Sequence, residues 1–338
     1  YVTKYNTLVA SATFSASFNK QAIKKDNTLE VDFGNNIKKN FTFKPEENVA
    51  VQKNSVVDEN DPTLFHYTIV VSAGESGATN VTLKDYMNDL EFLKDTLKKD
   101  GSSLNADAVT GPENGNNTYT ISIGNIAANG TATITYDAKI PADKLENLNG
   151  EITAYNKVTA KSDKSKEVSA EVSNKYTYKQ ISKSNAVINQ ENHTATWTIT
   201  VNEGNENGIK RNLNGYTVTD ALQNSGSNYK LDKSQKLLVS IDGAAPVEWE
   251  WSSVTVAPDD SGWSYTFRED SAHTYTFTYV TTIPENDSFN DITVGNNATL
   301  NKDGNNGVSV SGNGVIGKQG IPDDAIAKAD GELAKDNT

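Results

Sequence analysis

The sequence has 338 residues, with 36% hydrophobic and 22% charged side chains, a net charge of −13 and no cysteine. This length allows two or three globular domains, and the acidic charge disfavours nucleic acid and anionic membrane surfaces as partners. The lack of cysteine excludes disulfides, thiol catalysis and zinc–thiolate sites.

No apolar run is long enough to span a membrane, so we expect no membrane insertion by this part of the protein. The first residues also lack the charged and apolar regions of a signal peptide. We therefore interpret the chain as an excised part of a longer protein, whose targeting and anchoring segments lie outside it.

Alternation of apolar and polar residues is the dominant pattern along the chain, and it predicts half-buried β-strands. The clearest runs are 132–140, 194–201, 247–251 and 275–279. Asn129-Gly130 lies between two such runs and predicts a tight hairpin turn. One exception is 86–99, where three leucines at helical spacing predict a short amphipathic helix in a connecting loop. The overall prediction is an all-β protein.

An internal repeat relates two parts of the chain. The run VQKNSVV around Lys53 aligns with ISKSNAV around Lys183. Further along, FHYTIVV aligns with ATWTITV, and VTLKDYM aligns with YTVTDAL, which places Asp85 over Asp220. Both copies therefore keep a lysine and an aspartate in the same order, while the loops between them differ in length.

The last aligned pair adds an asparagine to the repeat. ITAYNKVTA aligns with ITVGNNATL and places Asn156 over Asn296. Asn297 directly follows Asn296, and a slip of one residue would turn the other side chain to this face of the sheet. The sequence leaves open which of these two asparagines corresponds to Asn156.

Partial copies extend the repeat at both ends. KKDNTLEVDFGN resembles the asparagine-bearing strand and includes Asn27, and IAKADGELAKDNT resembles the lysine-bearing strand and includes Lys328. The repeat predicts four segments, namely closing strands of an upstream domain at 1–43, full domains at 44–178 and 179–317, and a linker with the first strand of a downstream domain at 318–338.

A lysine amine, an aspartate carboxyl and an asparagine carboxamide that meet in a core have a specific reaction open to them. Burial disfavours the ammonium form, which frees the amine to attack the carboxamide carbon, and ammonia leaves. Burial also favours a protonated carboxyl, which can donate to the amide oxygen and shuttle protons. In a sandwich the first and last strands can be adjacent, so such a bond would tie the two ends of a domain together.

The strands VTLKDYM and YTVTDAL, together with DFGN, YNKVTA and GNNATL, resemble the isopeptide-forming Ig-like domains of Gram-positive cell-surface adhesins and pilins, in particular the fimbrial isopeptide-formation type. The resemblance covers two full copies and two partial ones, and it implies tandem Ig-like β-sandwiches. It also implies cross-linking triads with catalytic aspartates, Lys53–Asp85–Asn156 and Lys183–Asp220–Asn296. Asn27 and Lys328 would belong to triads that are completed outside the chain.

The function implied by this resemblance is that of a stalk or shaft segment on the extracellular cell-wall surface. The chemistry would be a single autocatalytic turnover in each domain, so the chain would not be an enzyme and would need no cofactor. The three histidines are scattered, and no metal-ligand spacing appears. Partners would be head-to-tail neighbours in a pilus, or a host protein or glycan bound by the full-length protein.

Other interpretations of the same residues stay open at this stage. A lysine in a strand is usually solvated, and an aspartate or asparagine near a turn is usually part of the turn. A ligand-binding module would use Trp249, Trp251 and Trp263 as an exposed aromatic surface, although their alternation favours the core. An accessory region of a secreted glycan-degrading enzyme would rest on fold use alone.

Overall fold

The computed structural model describes residues 28–42, 46–113, 115–226, 228–268, 271–286, 290–304 and 307–318. This part of the chain is all-β, and its strands pair antiparallel. It contains one short α-helix, α1 (Ala142–Glu146), and short 3-10 turns at Ala106–Ala108 and Trp251–Ser253. In the described residues, no helix has the length and apolar character required to cross a membrane.

The strands form a small hairpin and two sandwiches. The hairpin is β1 (Thr28–Asp32) and β2 (Lys38–Thr42). The first sandwich contains β3 (Val49–Val57), β4 (Leu64–Ala73), β5 (Ala78–Asn88), β6 (Glu91–Lys99), β7 (Ser102–Ser103), β8 (Val109–Thr110), β9 (Thr118–Ile126), β10 (Thr131–Lys139) and β11 (Gly150–Lys161). The long strand β12 (Val168–Lys183) leads into the second sandwich, which contains β13 (Val187–Asn189), β14 (Thr194–Asn205), β15 (Tyr216–Gln223), β16 (Leu237–Ile241), β17 (Val247–Trp249), β18 (Thr255–Val256), β19 (Gly262–Thr266), β20 (Tyr275–Thr282), β21 (Ile292–Lys302) and β22 (Val308–Ile316).

One long sheet belongs to both sandwiches, in the order β17-β16-β20-β14-β12-β11-β5-β9-β8. Its β11-β5-β9-β8 part faces the sheet β3-β4-β10-β6-β7, and its β17-β16-β20-β14 part faces the sheet β18-β19-β15-β21-β22. Strand β12 pairs with β11 along most of its length and with β14 at its end. The two sandwiches are therefore joined through continuous backbone hydrogen bonding.

Each sandwich has its own apolar core, because alternate side chains of both facing sheets point inward. The first core includes Ile69 from one sheet and Leu83 from the other, and both are fully buried. The second includes Phe277 and Val218 in the same relation. These inward faces are also the faces on which the candidate site residues lie.

The helix predicted over 86–99 is wrong, because this segment is the end of β5 followed by β6. Strand β6 pairs with β10, and the register of that pair shifts between Thr135 and Asp137. Such a bulge breaks the alternation of two, so Phe92 and Leu97 are both buried although they are five residues apart. The bulge thereby gives a strand the residue spacing of a helix face. The short helix of the described part is α1, between β10 and β11.

The hairpin predicted at Asn129-Gly130 is also wrong, although the tight turn is present. The turn joins β9 to β10, and these strands belong to opposite sheets rather than to one hairpin. Asn129 adopts the left-handed conformation at φ 53°, and the amide of Gly130 donates to the carbonyl of Ala127 at 2.9 Å. The Asn-Gly pair encodes the reversal of the chain, but not which strands then pair.

Candidate functional site

Four polar side chains meet inside the first sandwich, and each comes from a different strand. Lys53 lies on β3 and Tyr136 on β10, which share one sheet, while Asp85 lies on β5 and Asn156 on β11 of the facing sheet. The side chains of Lys53 and Asp85 are 0% exposed, and Asn156 is fully buried. We call this group site 1.

Hydrogen bonds connect the four groups of site 1 directly. Nζ of Lys53 lies 2.6 Å from Oδ1 of Asp85 and 2.7 Å from the hydroxyl of Tyr136. The Tyr136 hydroxyl donates to the second carboxylate oxygen of Asp85. The same hydroxyl accepts a hydrogen bond from Nδ2 of Asn156 at 2.8 Å. The amine and the carboxamide are therefore both within hydrogen-bond distance of the same hydroxyl oxygen.

The second sandwich holds the same arrangement, which we call site 2. Nζ of Lys183 lies 2.9 Å from Oδ2 of Asp220 and 2.9 Å from the hydroxyl of Tyr279. This hydroxyl donates to Asp220, and Nδ2 of Asn296 lies 2.7 Å from it. Nδ2 of Asn296 also donates to Oδ1 of Asp220 at 3.3 Å. The lysine and aspartate side chains are again 0% exposed.

Strand register explains why the two sites match. In the lysine-bearing sheets, Lys53 pairs with Ile69 and Lys183 with Ile199. Two residues earlier on the neighbouring strands, Tyr67 pairs with Tyr136, and Trp197 pairs with Tyr279. Since side chains two residues apart share a face of a sheet, the same register delivers the same groups to each core.

In the facing sheets, the same register brings the aspartate and the asparagine of each site together. Asp85 pairs with Val158, and Asn156 lies two residues before that partner. Asp220 pairs with Ala298, and Asn296 lies two residues before its partner in the same way. Asn296 is fully buried and contacts Tyr279, whereas Asn297 is half-buried and lies on the opposite face of the strand. The strand register therefore makes Asn296 the counterpart of Asn156.

The bond anticipated from sequence would join the first and last strands of a domain, and the structure places these strands next to each other in opposite layers of each sandwich. Lys53 and Asn156 lie in opposite sheets, as do Lys183 and Asn296. A covalent bond in either pair would therefore run across the core and connect the two layers of the sandwich. The reason is that β3 is followed by β4 and β10 in one layer, while β11 pairs with β5 in the other.

Burial shapes the protonation of both sites. Removal from water lowers the pKa of the Lys53 amine and raises the pKa of the Asp85 carboxyl. It shifts the pKa of Lys183 downward and the pKa of Asp220 upward in the same way. Transfer of one proton from amine to carboxylate within each pair makes both partners neutral, and this leaves a nucleophilic amine beside a carboxylic acid.

Aromatic rings enclose the two amines. Nζ of Lys53 lies 5.3 Å from the ring centroids of Tyr67 and Tyr136. Nζ of Lys183 lies 5.1 Å from the Trp197 ring and 5.4 Å from the Tyr279 ring. These rings exclude solvent from the amine, which strengthens every electrostatic contact in the site.

The carboxamide oxygens of the two sites, unlike the carboxamide nitrogens, form no hydrogen bond with the described residues. Oδ1 of Asn156 and Oδ1 of Asn296 are buried and have no hydrogen-bond partner among the described residues. A hydrogen bond from the acid to the amide oxygen, expected from sequence, is therefore absent from this geometry, because each aspartate faces the amine, the tyrosine hydroxyl and, in site 2, the amide nitrogen. In site 2 the acid thus contacts the nitrogen that would leave as ammonia, and in site 1 it is linked to that nitrogen through Tyr136.

The chemistry that this arrangement can perform is aminolysis of a carboxamide. The amine and the carboxamide nitrogen both lie within hydrogen-bond distance of one tyrosine hydroxyl, and holding reacting groups near each other raises their effective concentration. The tyrosine hydroxyl contacts the leaving nitrogen in both sites, and the carboxyl contacts it directly in site 2. No metal is required, and in the described residues no group of three or more metal-ligating side chains occurs.

Sequence reasoning placed Tyr136 and Tyr279 in strands but gave them no role in the site. A signal for them was present, since both belong to a repeated Thr-Tyr-x-x-x-Ile-Pro motif. Alternation alone assigns such residues to the core, because it reports which way a side chain points and nothing about what it touches. Asn27 and Lys328 lie outside the described residues.

The tryptophan surface considered as a ligand site does not form a shared exposed patch. Trp263 is 2% exposed and packs against the ring of Tyr279, with the centroids 5.6 Å apart. Trp249 and Trp251 are half-buried and pack against the second core. These residues therefore contribute to the core of the second sandwich.

No protein-family model and no curated protein matches the sequence. Among solved structures, the C-terminal domain of the AgI/II polypeptide BspA of Streptococcus agalactiae is 10% identical, with a TM-score of 0.32, and the match covers 80% of this chain and 100% of that chain. The collagen adhesin CNA of Staphylococcus aureus is 13% identical over 80% of this chain and 92% of that chain, with a TM-score of 0.27. The collagen-binding subdomain ACE19 of the Enterococcus faecalis surface protein ACE is 14% identical over 42% of this chain and 98% of that chain, with a TM-score of 0.29. Identities and TM-scores this low carry no conclusion about ligand or activity.

Proposed function

We propose that this chain is a structural stalk or shaft segment of a Gram-positive cell-wall protein, in which each sandwich forms an internal Lys–Asn isopeptide bond. The bonds join Lys53 to Asn156 and Lys183 to Asn296, and the buried Asp85 and Asp220 assist. The reaction is a single turnover in each domain, so the protein is not an enzyme in the usual sense. The domain limits stay those predicted from the repeat, 44–178 and 179–317.

The observation that carries this proposal is the twofold occurrence of the site. A buried amine next to a buried carboxylate is costly to build, and an ordinary core replaces such a pair with apolar residues at little loss. Here the chain builds it twice, in the same register, and each time with a buried carboxamide on the same hydroxyl. A reaction between the amine and the carboxamide explains the whole group, and neither solvated lysines nor turn residues explain it.

The positions of the bonds favour a mechanical role. A pulling force that enters at Lys53 would pass through the bond to Asn156, along the chain to Lys183, and through the second bond to Asn296. The segments 54–155 and 184–295 would then carry little tension. A stalk benefits from this because force acts on covalent bonds rather than on the hydrogen bonds of the sheets.

The extracellular location and the Gram-positive source belong to the same proposal. They are supported by the resemblance of the repeated strands to isopeptide-forming adhesin and pilin domains, and by the lack of cysteine, since an isopeptide bond would stabilise an extracellular domain that has no disulfide. An adhesin module that binds a host protein or glycan is the weaker alternative, because the tryptophans that would form its surface pack against the core.

Intact-mass spectrometry of the purified chain tests the proposal. We expect a mass lower than that of the sequence by two molecules of ammonia, and peptides that join Lys53 to Asn156 and Lys183 to Asn296 after digestion. The variants Asn156→Ala and Asn296→Ala should each lie only one molecule of ammonia below the mass of their own sequence. A mass equal to that of the unmodified sequence would refute the proposal.

A further inference from the structure

The tyrosine hydroxyl is placed between the two nitrogen atoms that exchange in the proposed reaction. In site 1 the hydroxyl of Tyr136 lies 2.7 Å from Nζ of Lys53, which would attack, and 2.8 Å from Nδ2 of Asn156, which would leave. In site 2 the hydroxyl of Tyr279 lies 2.9 Å from the attacking nitrogen and 2.7 Å from the leaving one. Both tyrosines are 1% exposed.

The reaction needs a proton to move between these two nitrogens. When Nζ bonds to the carboxamide carbon, the attacking nitrogen carries one proton too many. The C–N bond to Nδ2 breaks easily only if Nδ2 receives a proton and departs as ammonia rather than as an amide anion. Bulk water is excluded from the site, so a protein group must carry that proton.

We propose that Tyr136 and Tyr279 are catalytic residues that relay this proton. The hydroxyl oxygen accepts a proton from the attacking nitrogen and gives its own proton to the leaving nitrogen, so the tyrosine ends unchanged. One C–N bond forms, one breaks, and ammonia is the only product released. The inference rests on the proposed isopeptide function and adds a fourth member to each triad.

The surroundings of the tyrosines suit this role. Burial raises the pKa of Tyr136 and of Tyr279 well above the usual range, so each stays a hydroxyl with a proton to give. Before the reaction each hydroxyl donates to the neighbouring aspartate and accepts from both nitrogens, which holds its oxygen between them. In the relay this proton turns from the aspartate to the leaving nitrogen. In site 1 this hydroxyl links Asp85 to Nδ2 of Asn156.

The test is Tyr136→Phe in the full chain, with site 2 of the same molecule as an internal control. Phenylalanine keeps the ring and removes only the hydroxyl. Protein from a short pulse of cell-free synthesis is denatured at successive times, and the cross-linked peptide of each site is quantified by mass spectrometry. We expect the Lys53–Asn156 bond to form at least about 100-fold more slowly, as is typical for loss of a general acid–base group, while the Lys183–Asn296 bond forms at its normal rate.

Three results separate the relay from the function on which it rests. If the unaltered chain keeps both ammonia molecules, the function itself is wrong and the relay with it. If the unaltered chain loses both and Tyr136→Phe loses both equally fast, the function stands and the relay is refuted. Slow formation at site 1 alone supports the relay if Tyr136→Phe does not itself destabilise the fold. That condition is checked in the Asn156→Ala background, which cannot form the bond and should unfold at the same temperature with and without Tyr136→Phe. If that pair differs, the same rate measurement on Tyr279→Phe decides, because slow formation of the Lys183–Asn296 bond alone supports the relay and normal formation refutes it.

An independent observation concerns the junction of the two sandwiches, where Arg211 binds the end of α1. The guanidinium of Arg211 donates to the carbonyl of Leu145 at 2.9 Å and to the carbonyl of Glu146 at 3.1 Å. It also donates to the side chain of Gln180 at 3.2 Å and lies over the ring of Tyr178, 5.2 Å from its centroid. An arginine of the second sandwich thus caps a helix of the first.

Gln180 and Asn149 complete this junction. Nε2 of Gln180 donates to the carbonyls of Glu146 and Leu148, both at 2.9 Å. Oδ1 of Asn149 accepts from the amides of Gln180 and Ile181, and its Nδ2 donates to the carbonyl of Ile181 at 2.9 Å. These bonds supplement the strand β12, which already runs through both sandwiches.

The geometry points to a rigid joint in which Arg211 fixes the angle between the sandwiches. Because the chain has no cysteine, Ser103→Cys and Val247→Cys would provide the only two labelling sites, one exposed residue in each sandwich. Spin labels at these sites should give a narrow distance distribution by electron resonance, and adding Arg211→Ala should broaden it. Arg268→Ala, at the other arginine, is the matched control and should leave it narrow. A broad distribution in the labelled parent, or a narrow one with Arg211→Ala, would overturn this inference.

Discussion

Sites 1 and 2 share their reactive groups and differ in what surrounds them. In both, a lysine amine, a carboxyl, a tyrosine hydroxyl and a carboxamide meet in the same strand register. The ring beside the amine is Tyr67 in one site and Trp197 in the other. The ring that packs on the tyrosine also differs, being Phe92 in site 1 and Trp263 in site 2. The comparison separates groups that the proposed chemistry requires from groups that only need to fill space and exclude water.

A second difference lies within the hydrogen bonds. The carboxyl contacts the amine at 2.6 Å in site 1 and at 2.9 Å in site 2. In site 2 the carboxamide nitrogen also donates to Asp220 at 3.3 Å, whereas in site 1 the corresponding link runs through Tyr136. If the sites are chemically equivalent, the tyrosine is the shared route between acid and leaving nitrogen, and the direct contact is an addition.

The largest expected effect comes from Asp85→Ala and Asp220→Ala, which test whether the sites are equivalent. Each change removes the acid and leaves a buried amine without its partner, which costs about 3–5 kcal/mol. It also prevents a cross-link across a loop of roughly 100 residues, worth about 4–5 kcal/mol by analogy with a disulfide of that span. Calorimetry should show the unfolding transition of the altered sandwich moving to lower temperature, with the other unchanged.

Mass spectrometry of the same two variants should find one ammonia retained in each. Equal behaviour would support two equivalent sites. A bond that still forms in Asp85→Ala but is lost in Asp220→Ala would contradict that equivalence and would mean that Tyr136 alone suffices in site 1.

The next effect in size separates Asn296 from its neighbour Asn297. Asn296→Ala should lose one molecule of ammonia instead of two and about 4–5 kcal/mol of stability, because the cross-link of site 2 cannot form. Asn297→Ala lies on the other face of β21 and should keep the bond, with a stability change within about 1 kcal/mol. Loss of the bond in the Asn297 variant would mean that β21 is shifted by one residue.

Sequence patterns were sufficient for much of this architecture. Alternation predicted the strands around Ile134, Trp197 and Phe277, because a half-buried sheet requires a period of two. The repeat predicted that a lysine, an aspartate and an asparagine occupy corresponding places, and the register places them together in each core. The aligned order worked as a guide because matching strands with the same register present the same faces.

Other features depend on long-range pairing and were out of reach. The bulge opposite Tyr136 gave the sequence of β6 a helix-like spacing. The partners of β9 and β10 are set by the packing of two sheets rather than by the turn between them. The link through Tyr136 joins residues that are 51 and 20 positions away in sequence. No local pattern reports a hydrogen bond over such separations.

A smaller effect is expected from the rings beside the amines. Trp197→Phe removes the hydrogen bond from the indole nitrogen to Thr281, which is 3.0 Å long and buried, and should cost about 1–3 kcal/mol. Tyr67→Phe removes a 3.3 Å bond from Asn174 and should cost about 1 kcal/mol or less. Both variants should still lose two molecules of ammonia, as measured by intact mass. Failure of either bond would show that the enclosing ring takes part in the chemistry.

The smallest effect concerns a buried carboxylate of the first sandwich, Glu47, which lies outside site 1. Glu47 is buried and accepts hydrogen bonds from the amide and hydroxyl of Thr79 and from the hydroxyl of Ser162. These bonds to the ionised form lower the pKa of Glu47 from 4.5 to about 2. Its contribution to stability is therefore complete above pH 4.5 and is lost as the pH falls toward 2.

Glu47→Gln should unfold at a lower temperature than the parent chain at pH 7, and the difference should shrink at pH 3 and vanish below pH 2. The exposed neighbour Glu46, changed to Gln, is the control and should match the parent at each pH. A gap between Glu47→Gln and the parent that stays constant with pH would show that the side chain acts through packing rather than through its charge.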